Sequence, residues 1–153
     1  ELIALYGQLG SRQRARSNAV FVSLGAIASV QQAFLPEALA RFHRQLPGSR
    51  TRVVPGVSTT LLNAVDAGEI DAAVIIRPPF ALHSDLRWTT LAREPFRLLV
   101  PRGDRGDDWR ALLSGQPFIR YDRGSFGGRQ VDRFLRSKGL SVQEVCEVDE
   151  LEA

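Results

Sequence analysis

The segment from Val53 to Pro78 constrains the fold of this chain more than any other feature. It has the pattern of a strand, a polar turn, a short helix ended by Gly68, and a second strand. The second strand, Asp71 to Ile76, is continuously apolar after its first residue, which is typical of a parallel strand covered on both faces. The polar turn, Ser58-Thr59-Thr60, falls where the first strand passes into the helix, so it predicts a site at which hydroxyl and backbone N–H groups meet a small anion.

A strand and a helix precede this segment and extend the pattern. Val20 to Leu24 is a short run of strand-forming residues. Helical spacing follows, with one apolar stripe that ends before Pro47-Gly48 and comprises Leu35, Leu39, Phe42 and Leu46. Arg52 to Val54 then returns as a strand. The resulting β-α-β-α-β order predicts an α/β fold with a parallel sheet.

The pattern changes near residue 90, where a second αβ lobe is predicted to begin. Its strands are predicted at Pro117 to Tyr121 and Val142 to Val148, and its helix, around Val131 to Leu135, ends at Gly139. We therefore predict a first lobe at 18–90 and a second at 91–153. Leu2, Leu5 and Leu9 recur at helical spacing, so residues 1–17 are predicted to be the tail of a helix followed by an arginine-rich linker. Residues 149–153 resemble the opening of another helix.

Composition excludes several classes of protein. No apolar run approaches the ~20 residues that cross a bilayer. The single cysteine, Cys146, rules out an internal disulfide, fits a reducing compartment, and is predicted to be a buried packing residue. The net charge is +3, but the basic residues are interspersed except for Arg12, Arg14 and Arg16, which is a weak argument for nucleic-acid contact.

The order of these elements resembles the effector-binding domain of LysR-type transcriptional regulators. The likeness covers roughly residues 18–153, and it implies that residues 1–17 are the remnant of the family's linker helix. It rests on an ordered set of matching positions rather than on one short motif. That set comprises Leu35-Pro36, Phe42, Pro47, Leu62, Gly68, Ile70, Asp71, Glu94-Pro95, the run Leu98 to Pro101, and Pro117 to Tyr121.

The resemblance implies a two-lobed fold of the type 2 periplasmic-binding-protein class, with mixed, mostly parallel sheets and flanking helices, here incomplete at its C-terminus. It implies a cytoplasmic regulator in which a small organic effector, expected to be an anion, binds between the lobes. That binding would change how a homodimer or homotetramer contacts DNA through an N-terminal winged helix-turn-helix absent from this sequence. No membrane partner and no cofactor are implied.

The candidate ligand-binding residues lie in loops at strand ends, where ligands of such sheets bind. The first lobe is predicted to supply Ile27, Ala28, Ser29, Ser58, Thr59, Thr60 and, at the hinge, Arg77. The second lobe is predicted to supply Arg120, Tyr121, Ser125 and Phe126. Arg120 is predicted to bind a carboxylate through its two-pronged guanidinium.

The residues also admit structural roles, which the sequence leaves open. Ser29 and Ser58 can each be a helix N-cap. Arg120 can be a surface arginine on an alternating strand, and Arg77 can pair with a neighbouring acid. Ile27 and Phe126 can belong to the core. The stripe at Leu35, Leu39 and Phe42 can face either the core or a second subunit.

Catalytic groups are sparse, so we predict no enzymatic activity. His43 and His83 have no partner at metal-ligand spacing, and no metal site is expected. The glycines Gly124, Gly127 and Gly128 lack the spacing of a phosphate loop. The predicted function is effector sensing in a LysR-type regulator. An exported solute-binding protein of the same fold is the alternative, and an enzyme on this scaffold is a third hypothesis.

Overall fold

The computed structural model describes residues 2–6, 19–104, 106 and 108–148. The chain divides into two compact units, Glu1–Arg93 and Glu94–Ala153, close to the predicted lobe boundary. The first unit contains β1 (Leu2–Tyr6), β2 (Phe21–Ala26), α1 (Ala28–Gln32), α2 (Leu35–Gln45), β3 (Arg50–Pro55), α3 (Ser58–Asp66), β4 (Ala72–Ile76) and β5 (Arg87–Ala92). The second contains α4 (Trp109–Gly115), β6 (Pro117–Tyr121), α5 (Phe126–Ser137) and β7 (Gln143–Val148).

A five-stranded sheet of order β3-β2-β4-β1-β5 forms the first unit. Strand β2 is parallel to both β3 and β4, which confirms the parallel sheet predicted from the β-α-β-α-β pattern. Strand β4 is almost wholly buried, as its continuous apolar sequence predicts. Strand β1 runs antiparallel to β4 and β5, so the sheet as a whole is mixed.

The helix predicted at the N-terminus is wrong over Leu2–Tyr6, which form β1. A short apolar run fits a helix or a buried strand equally well. Here the hydrogen bonds to two neighbouring strands make it a strand. Strand β1 lies between β4 and β5 and hydrogen-bonds to both, so it extends the ladder on that side of β4. Residues 7–17 of the predicted linker, with Arg12, Arg14 and Arg16, lie outside the described residues, as does the helix start predicted at 149–153.

Helix α3 packs close to the sheet at Gly25 of β2. A Cβ added at Gly25 would lie 2.8 Å from side-chain carbons of both Leu61 and Ile70. Helix α3 ends as predicted, because Gly68 follows it with a φ of +71°, a left-handed conformation that favours glycine. The core of this unit is built mainly from β4 and α3 together with Val30 and Leu35.

Asp71 fastens the start of β4 to β2, a role that the sequence pattern does not reveal. Its Oδ2 accepts a hydrogen bond from the Ser23 amide at 2.7 Å, and its own amide donates to the Ser23 carbonyl at 3.0 Å. Because Ser23 is buried, its N–H would lose its acceptor if the carboxylate were removed.

We expect Asp71→Ala to lower the free energy of unfolding by about 2 kcal/mol, the range for a buried donor left without a partner. Asp71→Asn retains a side-chain oxygen that can accept, so its effect should be smaller. Urea denaturation of the two variants provides the measurement. Equal stability of Asp71→Ala and the unaltered chain would show that this hydrogen bond contributes nothing.

The second unit is a two-stranded parallel sheet, β6-β7, whose connection contains α5. Phe126 and Leu135 of α5 and Leu113 of α4 are its buried apolar residues. The run Leu98 to Pro101, which is part of the resemblance, does not form a strand, and its apolar side chains Leu98, Leu99 and Val100 are exposed. In the part of the chain that the structure describes, no helix is long and apolar enough to cross a membrane.

Candidate functional site

The carboxyl ends of β2, β3 and β4 meet at one edge of the first sheet, because the three strands are parallel. The chain passes from β2 to β3 on one side and then to β4 on the other, so the topological switch point lies between β2 and β4. Ligands of open α/β sheets bind outside the carboxyl ends of the strands at such a point. The loops that follow β2 and β4 therefore flank the expected site.

Two helices begin at this edge with apolar N-cap residues. Ile27 precedes α1 and Val57 precedes α3, both with extended backbone, and neither makes a side-chain cap. Ser29 is the second residue of α1 and Ser58 the first residue of α3, so the N-cap role that the sequence left open for them is wrong. Because an isoleucine or valine side chain cannot accept a hydrogen bond, the first-turn N–H groups depend on other acceptors, such as water or a ligand.

Ser58 links the start of α3 to the end of β4. Its side chain is buried, with 7 % exposed, and its Oγ accepts a hydrogen bond from the Ile76 amide at 3.1 Å. The hydroxyl hydrogen can still be donated to a further acceptor. Thr59 is half-buried and Thr60 is exposed in the same turn.

The turn after β2 is held by hydrogen bonds to the last residue of β2 and to the middle of β4. The Ile27 amide donates to the Val74 carbonyl at 3.3 Å, and Gln31 Nε2 donates to the Ala26 carbonyl at 2.7 Å. The Ile27 side chain is buried in the core, whereas Ala28 is half-buried and Ser29 is exposed. The sequence does not predict this role of Gln31, because an isolated glutamine in a short helix carries no distinguishing pattern.

The structure brings the first-unit candidates to one edge of the sheet. Arg77 directly follows β4 and is exposed, and Pro78 beside it is buried. The predicted residues that solvent reaches at this edge are Ala28, Ser29, Thr59, Thr60 and Arg77. Backbone donors, hydroxyls and a guanidinium thus lie at one edge of the sheet, and binding of a small anion there stays a prediction.

Arg120 of the second unit is a buried member of an ion-pair cluster rather than the surface arginine that the sequence left possible. Only 2 % of it is exposed. Its Nη1 donates to Glu144 at 2.9 Å and its Nη2 donates to Asp132. Arg123, which is exposed, also pairs with Glu144. Among the residues that the structure describes, Arg120 Nε has no hydrogen-bond partner. A ligand role for Arg120 stays a prediction.

The ion-pair cluster shifts the pKa values of Arg120 and Asp132. Burial opposes the charged form of Arg120, but hydrogen bonds and charges from Asp132 and Glu144 outweigh it and raise the pKa of Arg120. The pKa of Asp132 is lowered, chiefly by the hydrogen bond from Arg120. Both groups therefore stay ionised at neutral pH. The Arg120 guanidinium links β6 to α5 through Asp132 and to β7 through Glu144.

The other predicted second-unit residues surround the start of α5. Ser125 is its N-cap: the Oγ accepts from the Gly128 amide at 2.9 Å and donates to the Asp122 carbonyl at 2.7 Å. Phe126 is a core residue with 2 % exposed, and Tyr121 is half-buried. Ser125 and Phe126 thus have structural roles. That both units contribute to one ligand site stays a prediction.

Within the described residues there is no cluster of three or more histidine, cysteine, aspartate or glutamate side chains suited to a metal ion. His43 Nε2 lies 3.1 Å from the Thr51 hydroxyl, and His83 pairs with Asp85 at 3.8 Å. Cys146 is exposed, so its predicted burial is wrong, because β7 presents that position to solvent.

Comparisons with known proteins agree on one family. Residues 21–153 match the sequence model of the LysR substrate binding domain. The HTH-type transcriptional regulator IlvR of Caulobacter vibrioides is 28 % identical over 106 residues, which cover 67 % of this chain and 36 % of that protein. The HTH-type transcriptional regulator TtuA of Agrobacterium vitis is 32 % identical over 90 residues, 59 % of this chain and 29 % of that protein. The matches thus cover about a third of each relative's length.

Solved structures show the same fold at low sequence identity. The effector-binding domain of QuiR in complex with shikimate has a TM-score of 0.67 at 13 % identity, covering 85 % of this chain and 64 % of that one. The cofactor-binding domain of the Cbl transcriptional regulator has a TM-score of 0.64 at 17 % identity, covering 92 % of this chain and 64 % of that one. These neighbours support the type 2 periplasmic-binding-protein-like fold.

Proposed function

Since this chain belongs to the LysR substrate-binding domain family, we propose that it is the effector-sensing part of a DNA-binding transcriptional regulator. The observation that carries this proposal is the pair of helices, α1 and α3, that start at the carboxyl edge of the sheet behind apolar N-caps. Such starts leave backbone donors for a ligand in the place where open α/β sheets bind one.

The proposed effector is a small organic anion. Helix N-termini favour negative charge, and the exposed Arg77 lies at the same edge. The fold neighbour QuiR was solved with shikimate in its effector-binding domain, which supports a small organic ligand for this fold.

In the proposed regulator the effector shifts an equilibrium between arrangements of a homodimer or homotetramer and so changes DNA binding. DNA would be contacted through a winged helix-turn-helix outside the present chain. The regulator would be cytoplasmic, without enzymatic activity and without a membrane partner. The alternative of an exported solute-binding protein has no support from the relatives described above, which are transcriptional regulators.

The variant Thr60→Glu tests this site through opposite effects on stability and ligand binding. Thr60 is exposed in the first turn of α3, where a carboxylate stabilises a helix by up to about 1 kcal/mol. The same charge would repel an anionic effector. We therefore expect unchanged or slightly raised stability, together with an effector affinity at least about tenfold lower, equivalent to roughly 1.4 kcal/mol.

The measurement is a thermal-shift screen of carboxylic acids and amino acids, followed by calorimetric titration of any acid that stabilises the protein. Asn63→Glu is the matched control, because it adds the same charge to an exposed position one turn further along α3. Comparable loss of affinity in both variants, or no loss in Thr60→Glu, would place the effector elsewhere.

A further inference from the structure

The solvent-facing side of α5 carries three arginines that the proposed effector site does not use. Arg129, Arg133 and Arg136 follow one another at spacings of four and three, so they lie along one face of the helix. All three are exposed, and 84 % of the Arg136 side chain is accessible. We refer to these three residues as the arginine stripe.

The charge of the arginine stripe is largely uncompensated. Asp132 is the only carboxylate on α5, and it is held by the buried Arg120. Arg136 approaches the other Asp132 oxygen only to 3.9 Å. Within the described part of the chain, Arg129 and Arg133 have no ion-pair partner. The stripe therefore presents positive charge to whatever approaches α5 from solvent.

The helix holds the stripe in a fixed geometry. Gly127, Gly128 and Leu135 are buried on other faces of α5, and Ser125 caps its start. Positions along a helix rise by about 1.5 Å per residue, so the stripe is roughly 10 Å long. The phosphates of one DNA strand follow at a rise of about 3.4 Å, so the stripe covers about three steps from one phosphate to the next.

We propose that the arginine stripe binds the phosphate backbone of duplex DNA without reading its sequence. The inference rests on the proposed function in one respect, since DNA lies nearby only if the chain belongs to a DNA-binding regulator. Guanidinium groups bind phosphate oxygens through two parallel hydrogen bonds. Phe134 of α5 is exposed but packs against Trp109, and Gln130 and Ser137 lie beside the stripe. No aromatic side chain therefore stands among the three arginines, unlike the apolar and aromatic centre typical of protein interfaces, which favours DNA over an acidic protein.

The test compares DNA binding by the purified 153-residue chain with binding by the variant Arg129→Gln/Arg133→Gln/Arg136→Gln. Fluorescence anisotropy of a short mixed-sequence duplex is measured from about 50 to about 200 mM salt, over which three phosphate contacts weaken binding on the order of 40-fold. We expect the slope of log K against log salt to become shallower by about 2.7 in the variant. Glutamine is a good helix former, so circular dichroism should be unchanged.

Arg41→Gln/Arg44→Gln/Arg52→Gln is the matched control. It removes the same net charge from exposed positions of the first unit, and its slope should remain that of the unaltered chain. Equal effects of the two triple variants would overturn the proposal in favour of a general charge effect. Unchanged DNA binding together with lost binding to polyglutamate would overturn it in favour of an acidic protein partner. The effector screen contains no DNA, so its outcome is independent of this one.

Discussion

Replacing Gly128 by alanine is expected to prevent stable folding of the second compact unit. A Cβ at this position would lie 1.8 Å from the Asp122 carbonyl oxygen and 2.6 Å from its carbonyl carbon. Both atoms belong to the backbone, so no rotation of a side chain relieves the clash. Overpacking of this kind destabilises by about 3 kcal/mol or more, a large part of the stability of a small unit.

Tryptophan fluorescence can follow this unit separately from the first. Trp88 lies in β5, whereas Trp109 begins α4 and packs against Phe134 of α5 with ring centroids 5.4 Å apart. In a Trp88→Phe background, the remaining signal reports on α4 and α5 alone. We expect Gly128→Ala to shift the urea transition to much lower concentration or to abolish it.

Gly115→Ala is the matched control for this experiment. Gly115 ends α4, and a Cβ there meets nothing within 4 Å. Alanine is favoured over glycine in a helix by about 1 kcal/mol at most. The urea concentration at the midpoint of unfolding should therefore stay unchanged or rise slightly. If Gly128→Ala unfolds at the same urea concentration as the unaltered chain, α5 does not approach the Asp122 turn as described.

The second large effect is expected from Arg120→Met. The variant leaves Asp132 and Glu144 without the guanidinium that lies between them. Removing one partner of a buried ion pair destabilises by about 3 to 5 kcal/mol, and we expect the lower end because both carboxylates are partly accessible to water. This loss of stability should appear in the absence of any ligand, because Arg120 supports the packing of α5 on β6 and β7.

The same cluster predicts a specific dependence of stability on pH. The pKa of Asp132 in the folded chain lies below its ordinary value, so its stabilising contribution is complete above that value, about 3.9. The contribution is lost as the pH falls through the lower, folded pKa. In Arg120→Met the two carboxylates repel each other, so protonation should instead reduce the destabilisation.

Urea unfolding at a series of pH values between about 3 and 7 measures both effects, since these values bracket the ordinary pKa of a carboxyl group. Arg123→Met is the control, because Arg123 pairs with Glu144 from an exposed position and surface ion pairs contribute at most about 1 kcal/mol. If Arg120→Met and Arg123→Met unfold alike at neutral pH, Arg120 does not support the unit as we describe.

The outcome at Arg120 illustrates the limit of reading a site from sequence. An arginine after an apolar strand fits a ligand contact or a surface position, and the structure instead places it between two carboxylates. Its partner Glu144 lies 24 residues away along the chain. Ser125 and Phe126 were predicted to bind ligand and have structural roles, because a polar turn before a helix serves as a cap or as a binding loop equally well.

Local patterns alone determined the three parallel strands, helices α2 and α3, and the edge of the sheet at which α3 begins. They did so because each pattern is recorded within its own element: a helical period in α2, a continuous apolar run in β4, and the glycine Gly68 that follows α3. The short helix α1 is absent from the prediction, which places Ala28 and Ser29 in a loop. Tertiary structure alone decided which distant groups meet: Ser58 with Ile76, Asp71 with Ser23, Arg120 with Asp132 and Glu144, and β1 with β4. A hydrogen bond or ion pair between separate elements depends on their packing, and no period in a single sequence records its partner.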